Sequence, residues 1–114
     1  MASLSTHVLD TSTGLPVRNL RLSLWRITEN KQVMLREFFT NDDGRVDNSL
    51  SKDTGPGVYS IIFDVESYFQ TNKVQSQGYF FDKITVRFII SEALSHYHVP
   101  LLLSPFGYST YRGS

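Results

Sequence analysis

The stretch VRNLRLSLWRI, residues 17–27, decides the fold class of this chain. In its middle, NLRLSL (19–24), every second residue is leucine and the residues between are polar. An alternation with a period of two predicts a β-strand that has one face buried and the other face in solvent. The stretch therefore predicts a half-buried strand of an antiparallel sheet.

Similar short runs lie on both sides of this strand, separated by turn signals such as NDDG (41–44) and Gly-Pro-Gly (55–57). One short helix is predicted over residues 64–72, where apolar residues recur at the spacing of one helix face. Seven or eight short strands at regular spacing predict an all-β fold, a two-sheet antiparallel β-sandwich. The other predicted strands are 4–10, 33–40, 57–64, 84–90, 96–103 and 108–112.

One residue of the predicted strand 96–103 does not suit a sheet interior. Pro100 has no backbone N–H and cannot donate to a strand ladder. We therefore expect Pro100 at a sheet edge, at a bulge, or where its missing N–H faces away from a neighbouring strand.

Length and composition exclude several classes of protein. With 114 residues the chain is predicted to form a single domain, 1–114, large enough for one core. The absence of cysteine excludes disulfides and thiolate metal sites, and a formal net charge of zero argues against nucleic-acid binding. The longest apolar run is too short to cross a bilayer, and neither a signal peptide nor a C-terminal peroxisomal signal is recognised. We therefore expect a cytoplasmic protein.

The three histidines, His7, His96 and His98, are the first candidates for chemistry. His96 and His98 are two residues apart on one predicted strand and so project from the same face. With His7 they could form a zinc site, but two polar residues on a solvated strand face are the simpler interpretation of the pair. His7 alone is either a satisfied or exposed histidine or a general base, since imidazole titrates near neutral pH.

Arg45 directly follows the NDDG turn and is the second candidate. It is either a solvated surface residue or a clamp for an anion, because guanidinium offers a planar set of donors and keeps its charge when buried. The sequence contains no nucleophile elbow, phosphate-binding glycine loop or zinc-protease motif.

Three segments, LSTHVLD (4–10), NDDGR (41–45) and HYHVPLLLSPFGYSTYRGS (96–114), resemble the 5-hydroxyisourate hydrolases in order and spacing. These are the transthyretin-related enzymes of urate breakdown, and the closing Tyr-Arg-Gly-Ser is their signature. The resemblance implies an eight-stranded sandwich with one helix. It also implies a homotetramer, a dimer of dimers, whose active sites lie at subunit interfaces. The hormone carrier transthyretin keeps the sandwich but lacks this set of residues.

The resemblance implies hydrolytic opening of the six-membered ring of 5-hydroxyisourate, with no metal and no cofactor. A carrier of small aromatic ligands without catalysis is the competing hypothesis. Arg112 either contacts substrate or fixes the tail, and Gly113 allows either a close backbone approach or a positive φ. The catalytic residues implied are His7, Arg45, His98 and Ser114, and the substrate-binding residues are His7, Arg45, Tyr111, Arg112 and Gly113.

Overall fold

The computed structural model describes residues 3–46, 55–72, 78–91 and 95–113. These residues contain one helix, α1 (Val65–Asn72), and nine strands, of which two have only two residues. The strands are β1 (Ser3–Asp10), β2 (Leu15–Pro16), β3 (Arg21–Thr28), β4 (Lys31–Phe39), β5 (Arg45–Val46), β6 (Gly57–Asp64), β7 (Lys83–Ile90), β8 (His96–Leu103) and β9 (Tyr108–Thr110).

The strands form two sheets that pack as a sandwich. The first sheet has the order β2-β1-β8-β9, and β5 pairs with β1 on the same side as β2. The second sheet has the order β4-β3-β6-β7, and all its pairs are antiparallel. The predicted all-β, two-sheet sandwich with one short helix is confirmed.

One strand pair departs from the antiparallel pattern. β1 and β8 run parallel, with Ser3 opposite His96 and Asp10 opposite Leu103. A parallel pair needs a long crossover, and here almost the whole chain lies between the two strands, including the entire second sheet. The first sheet is therefore held together by its most distant segments.

The core lies between the sheets and follows the alternation of the sequence. Leu20, Leu22 and Leu24 are at most 1% exposed, as the alternation in residues 19–24 predicts. From the first sheet, Val8 and Leu101 are fully buried beside them. Burying a side chain of this size contributes roughly 1.5–3 kcal/mol, so the facing rows of aliphatic residues hold the two sheets together.

A buried carboxylate joins the end of β1 to the helix. Asp10 is fully buried, and it accepts hydrogen bonds from the Ser12 backbone N–H at 2.8 Å, the Ser12 hydroxyl and the Tyr68 hydroxyl at 2.6 Å. Burial, together with the hydrogen bond to Asp10 and its charge, raises the pKa of the Tyr68 hydroxyl. Because a buried carboxylate is costly without donors, these contacts fix α1 against β1.

Pro100 lies on an inner strand of the first sheet, at a point where strand pairing is interrupted. β9 pairs with β8 only as far as Leu101, opposite Thr110. The carbonyl of Pro100 accepts the Thr110 hydroxyl at 2.7 Å, so its peptide groups face the β9 side. Pro100 is therefore not at a sheet edge, and its missing N–H falls just beyond the end of β9.

Within the described ranges, no helix is long and apolar enough to span a membrane.

We expect Tyr68→Phe to lower the free energy of unfolding by about 1–3 kcal/mol, because it removes a donor from a buried carboxylate. In the folded chain the raised pKa keeps the hydroxyl protonated, whereas a tyrosine of the unfolded chain ionises near pH 10. The stabilisation is therefore complete below about pH 10 and falls as the pH rises further. Urea denaturation of both proteins at several pH values measures it.

Tyr79→Phe is the matched control, because its hydroxyl contacts the half-buried carboxylate of Glu66 at 3.0 Å instead of a fully buried one. A smaller loss is expected there. Equal losses in the two variants would show that burial of Asp10 does not determine the effect.

Candidate active site

The first sheet turns one face away from the second sheet, and this outer face carries the candidate residues. In β1 the core-facing residues Leu4, Thr6 and Val8 alternate with the outer residues Ser5 and His7. In β8 the core-facing residues are Tyr97, Val99 and Leu101, so His96 and His98 project from the outer face.

The parallel register brings the two histidine-bearing strands together. Ser5 lies opposite His98, and His7 lies opposite Pro100, so His7 and His98 are diagonal neighbours on the outer face. The two histidines are about ninety residues apart in sequence, and only this strand pairing makes them neighbours.

Arg45 joins His7 through the short strand β5. His7 pairs with Arg45 while Thr6 pairs with Val46, whose side chain is buried in the core, so Arg45 lies on the outer face. Within the described ranges, neither His7 nor Arg45 has a hydrogen-bond or ion-pair partner for its side-chain nitrogens.

The NDDG turn fixes the position of Arg45. The Asn41 side-chain oxygen accepts the backbone N–H groups of Asp43 at 2.9 Å and Arg45 at 3.0 Å. Gly44 has a φ of +75°, and its carbonyl accepts the N–H of Val8 at 2.8 Å. A Cβ at Gly44 would lie 2.6 Å from the Val8 carbonyl oxygen, so only glycine fits between the turn and β1.

The C-terminal tail continues along β8 in the register of β9. Thr110 pairs with Leu101 and Gly113 forms a bridge with His98, so Tyr111 falls opposite Pro100. The Gly113 N–H donates to the His98 carbonyl at 2.8 Å. The tail is therefore paired with the strand that carries His98, and Tyr111 is 58% exposed beside it.

Gly113 brings the tail backbone against the imidazole of His98. A Cβ at Gly113 would lie 2.5 Å from Cδ2 and 3.2 Å from Cγ of His98, so no larger residue fits without a shift of the ring or the tail. Its φ is not in the positive region. The close backbone approach, and not a positive φ, is therefore what requires glycine at position 113.

Arg112 lies on the other side of the sheet from the histidines. Its guanidinium stacks 4.3 Å from the ring centre of Tyr97, whose side chain faces the core. It also donates to the His96 carbonyl at 3.1 Å. These contacts hold the tail onto β8, and within this chain Arg112 does not share a face with His7 and His98. Ser114 lies outside the described residues.

Two serines connect the histidine pair, and the sequence analysis did not single them out. Ser5 Oγ lies 2.8 Å from His98 Nδ1 and 3.3 Å from His96 Nε2, and Ser3 Oγ lies 2.5 Å from His96 Nδ1. The two imidazoles are nearly parallel, with centres 6.5 Å apart. Ser3 and Ser5 precede His7 by four and two residues in β1, so strand alternation places all three side chains on one face. This spacing was the signal that the sequence offered.

The described residues contain no cluster of three His, Asp or Glu side chains suited to a metal ion. The zinc hypothesis for His7, His96 and His98 gains no support from them.

His7 and His98 are half-buried on the outer face, and Arg45 is exposed. One cavity of about 840 Å³ lies between the β1–β2 turn and α1, and another of about 310 Å³ lies beneath the tail, beside β7. Neither of these two cavities is lined by His7, Arg45 or His98.

Residues 4–113 match the profile of the HIUase/Transthyretin family. The chain belongs to this family. A 5-hydroxyisourate hydrolase 2 of Rhizobium meliloti is 46% identical over 97% of this chain and 95% of its own length. A 5-hydroxyisourate hydrolase of Pseudomonas aeruginosa is 41% identical over 100% of this chain and 93% of its own length.

Solved structures agree on the fold but differ in activity. The 5-hydroxyisourate hydrolase of Klebsiella pneumoniae superposes with a TM-score of 0.83 at 35% identity, over 100% of both chains. Sea bream transthyretin in complex with thyroxine superposes with a TM-score of 0.88 at 26% identity, over 97% of this chain and 94% of that chain. An (S)-allantoin synthase matches 99% of this chain with 44% of its own, at a TM-score of 0.86 and 39% identity. The fold is thus shared by hydrolases and a ligand-binding protein, and the site must distinguish them.

We expect Gly44→Ala to destabilise the chain by more than Gly14→Ala, measured by urea denaturation. Both glycines have nearly the same φ, +75° and +76°, so the backbone strain of an alanine, about 1–3 kcal/mol, is common to both variants. Only at Gly44 does the added Cβ meet a backbone oxygen, because nothing lies within 4 Å of a Cβ at Gly14. Equal destabilisation would show that the turn moves freely away from β1.

Proposed function

We propose that this protein is a 5-hydroxyisourate hydrolase of urate degradation. The observation that carries the proposal is the outer face of the first sheet. There His7, Arg45 and His98 come together from three strands, and the tail is paired onto the strand that carries His98. The named hydrolases that are 41–46% identical over almost the whole chain support the same choice.

The proposed reaction is hydrolysis of the amide-like bond between N1 and C6 of the six-membered ring. Water adds to the C6 carbonyl, the C6–N1 bond breaks, N1 takes a proton, and C6 becomes a carboxylate. The product is 2-oxo-4-hydroxy-4-carboxy-5-ureidoimidazoline. The protein must remove a proton from water, stabilise the oxygen that gains negative charge, and hold a flat polar ring in place.

We assign the general base to His98, with His7 as the alternative base or as its orienting partner. A positioned general base typically contributes about 10²–10⁴-fold to the rate. The His98 ring is fixed on two edges, by Ser5 at Nδ1 and by the backbone of Gly113 near Cδ2. At least one of the two imidazoles must be neutral at the working pH to accept the proton.

We assign the stabilisation of the substrate oxygens to Arg45. Its guanidinium is exposed beside His7 and, among the residues described, forms no ion pair with a carboxylate. A free guanidinium matches the planar edge of a urate-like ring with two parallel donors. Arg45 therefore binds the substrate as well as taking part in the reaction, and we assign the same two roles to its register partner His7.

The tail completes the proposed site. Gly113 admits the backbone next to His98, and Tyr111 offers an aromatic wall and a hydroxyl. Ser114 is proposed to add its hydroxyl, as the family resemblance implies. Arg112 was predicted as a substrate contact or as a group that fixes the tail. Its contacts with Tyr97 and the His96 carbonyl favour the second role.

We further propose that the active form is a homotetramer whose subunits cover each other's outer faces. Leu9 and Leu102 are register partners on this face and are only half-buried in one chain, beyond the histidines. Apolar residues next to an open polar site favour burial against another subunit. The single domain over residues 1–114 and the cytoplasmic location stay predictions.

The deciding experiment generates 5-hydroxyisourate from urate with urate oxidase and follows its ultraviolet absorbance. The wild-type protein should accelerate the decay, and His98→Asn, prepared in parallel, should be slower by about 10²–10⁴-fold. A wild-type protein that binds the compound without accelerating its decay would instead be a carrier. If His98→Asn were as active as the wild-type protein, His98 would not be the general base.

We expect Gly113→Ala to lower kcat/KM by about 10²-fold in the same assay, because the new methyl group displaces either the His98 ring or the tail. Gly107→Ala is the matched control, since a Cβ there meets only the Ser104 hydroxyl oxygen at 3.6 Å, an ordinary contact. Full activity of Gly113→Ala would mean that the approach of tail to ring is not needed for catalysis.

A further inference from the structure

The ladder between β8 and the tail is interrupted after Thr110. His98 and Gly113 form a hydrogen-bonded pair, in which the Gly113 N–H donates to the His98 carbonyl at 2.8 Å. Such pairs recur at every second residue of an antiparallel ladder, so Pro100 and Tyr111 would form the next one. Pro100 has no N–H to donate to the Tyr111 carbonyl, and its own carbonyl accepts the Thr110 hydroxyl at 2.7 Å. Strand pairing is therefore weakened just before the residues that reach His98.

Close packing does not fix this part of the tail either. The cavity of about 310 Å³ lies between the tail and β7, and both Tyr111 and Arg112 line it. Both side chains are exposed. A segment that borders such a space must be held by specific contacts, because it lacks the interlocking neighbours of a packed interior.

Tyr97 supplies a specific contact to the tail from the core side of β8. Its side chain is only 5% exposed, and the Arg112 guanidinium lies over its ring, 4.3 Å from the ring centre. The face of an aromatic ring attracts a cation, and the attraction is stronger where water is excluded. The same guanidinium donates to the His96 carbonyl at 3.1 Å, so Arg112 is held at two points.

The Tyr97 ring is itself attached to the second sheet. The Ser91 N–H donates to the Tyr97 hydroxyl at 3.1 Å, and Ser91 directly follows the edge strand β7. A chain of contacts thus runs from the second sheet through Tyr97 to Arg112. The residue after Arg112 is Gly113, whose backbone lies against the His98 imidazole.

We infer that Tyr97 is a positioning residue for the reaction, because its ring holds Arg112 and thereby keeps the tail against the His98 imidazole. This inference rests on the proposed function, in which His98 acts as the base beside the tail. Displacing a positioned group by about 1 Å can cost on the order of 10²-fold in rate. Tyr97 faces the core and acts through Arg112, so it does not contact the reacting atoms.

The test is a double-mutant cycle in the 5-hydroxyisourate assay, with Tyr97→Met, Arg112→Gln and the double variant. Methionine fills irregular core space but has no aromatic face, and glutamine has no positive charge. Tyr97→Met should lower kcat/KM by about 10-fold in the wild-type background, but by less than about 2-fold in the Arg112→Gln background. Equal losses in the two backgrounds would show that Tyr97 acts independently of Arg112, and would overturn the inference.

Tyr97→Phe is the matched control, because it keeps the ring and removes only the hydroxyl that Ser91 contacts. Its kcat/KM should stay within about 3-fold of the wild-type value. A loss as large as that of Tyr97→Met would show that the ring face does not carry the effect. Thermal unfolding and size-exclusion chromatography check that the variants fold and assemble like the wild-type protein.

A second measurement reads the position of the tail without substrate. Glycine-selective ¹⁵N labelling makes the seven glycines visible by NMR, and Gly113→Ala identifies the Gly113 signal by its loss. Because the Gly113 N–H donates to a β8 carbonyl, its exchange with solvent should be about 10-fold faster in Tyr97→Met and Arg112→Gln than in wild type or Tyr97→Phe. Arg112 is exposed, so unchanged exchange in Arg112→Gln would overturn the inference even if Tyr97→Met did not fold.

The two proposals fail separately. A wild-type protein that does not accelerate the decay of 5-hydroxyisourate overturns the proposed function, while exchange at Gly113 still tests whether Tyr97 holds the tail. An active wild-type protein, with the same Gly113 exchange rate in all the variants, overturns the inference and leaves the proposed function standing.

Discussion

The parallel pairing of β1 with β8 is the contact on which the rest of the molecule depends. It places Ser5 beside His98 and His7 beside Pro100, and it sets the central axis of the first sheet. β2 and β5 are added to one side of this pair and β9 with the tail to the other, so Arg45 and Gly113 reach the histidines only through it. A shift of β1 by one residue along β8 would turn His7 toward the core while His98 stayed on the outer face, and would so separate the two histidines.

Two glycines allow backbone to approach this pair where a side chain would not fit. Gly44 lies against the Val8 carbonyl, which allows Arg45 to pair beside β1. Gly113 lies against the His98 ring, which allows the tail to pair with β8. In both cases a residue from a connecting segment becomes part of the site because the neighbouring glycine has no Cβ. The site is thus assembled by backbone geometry as much as by the side chains that give it charge.

The fold was predictable from sequence where the information is local, and not where it depends on distant pairing. The leucine alternation in residues 19–24 predicts the buried face of β3, and three apolar residues predict α1 to within one residue at its start. The parallel pairing of β1 and β8 cannot be recognised in either segment of the sequence alone. Alternation within a strand determines the face on which a residue lies, but not which strand lies beside it. The same limit applies to the contact of Ser5 with His98.

The alternation of an extended strand also explains how the residues of the tail divide between two faces. The four closing residues form one motif, yet consecutive residues of an extended segment point to opposite faces. Gly113 approaches the His98 ring on the outer face. The side chain of Arg112 therefore lies on the core-facing side, where its guanidinium stacks on the ring of Tyr97. The extended tail therefore has one face that serves the histidines and another that attaches it to β8. A motif shows which residues occur together, while the pleat of the strand determines which of them lie on the face of the histidines.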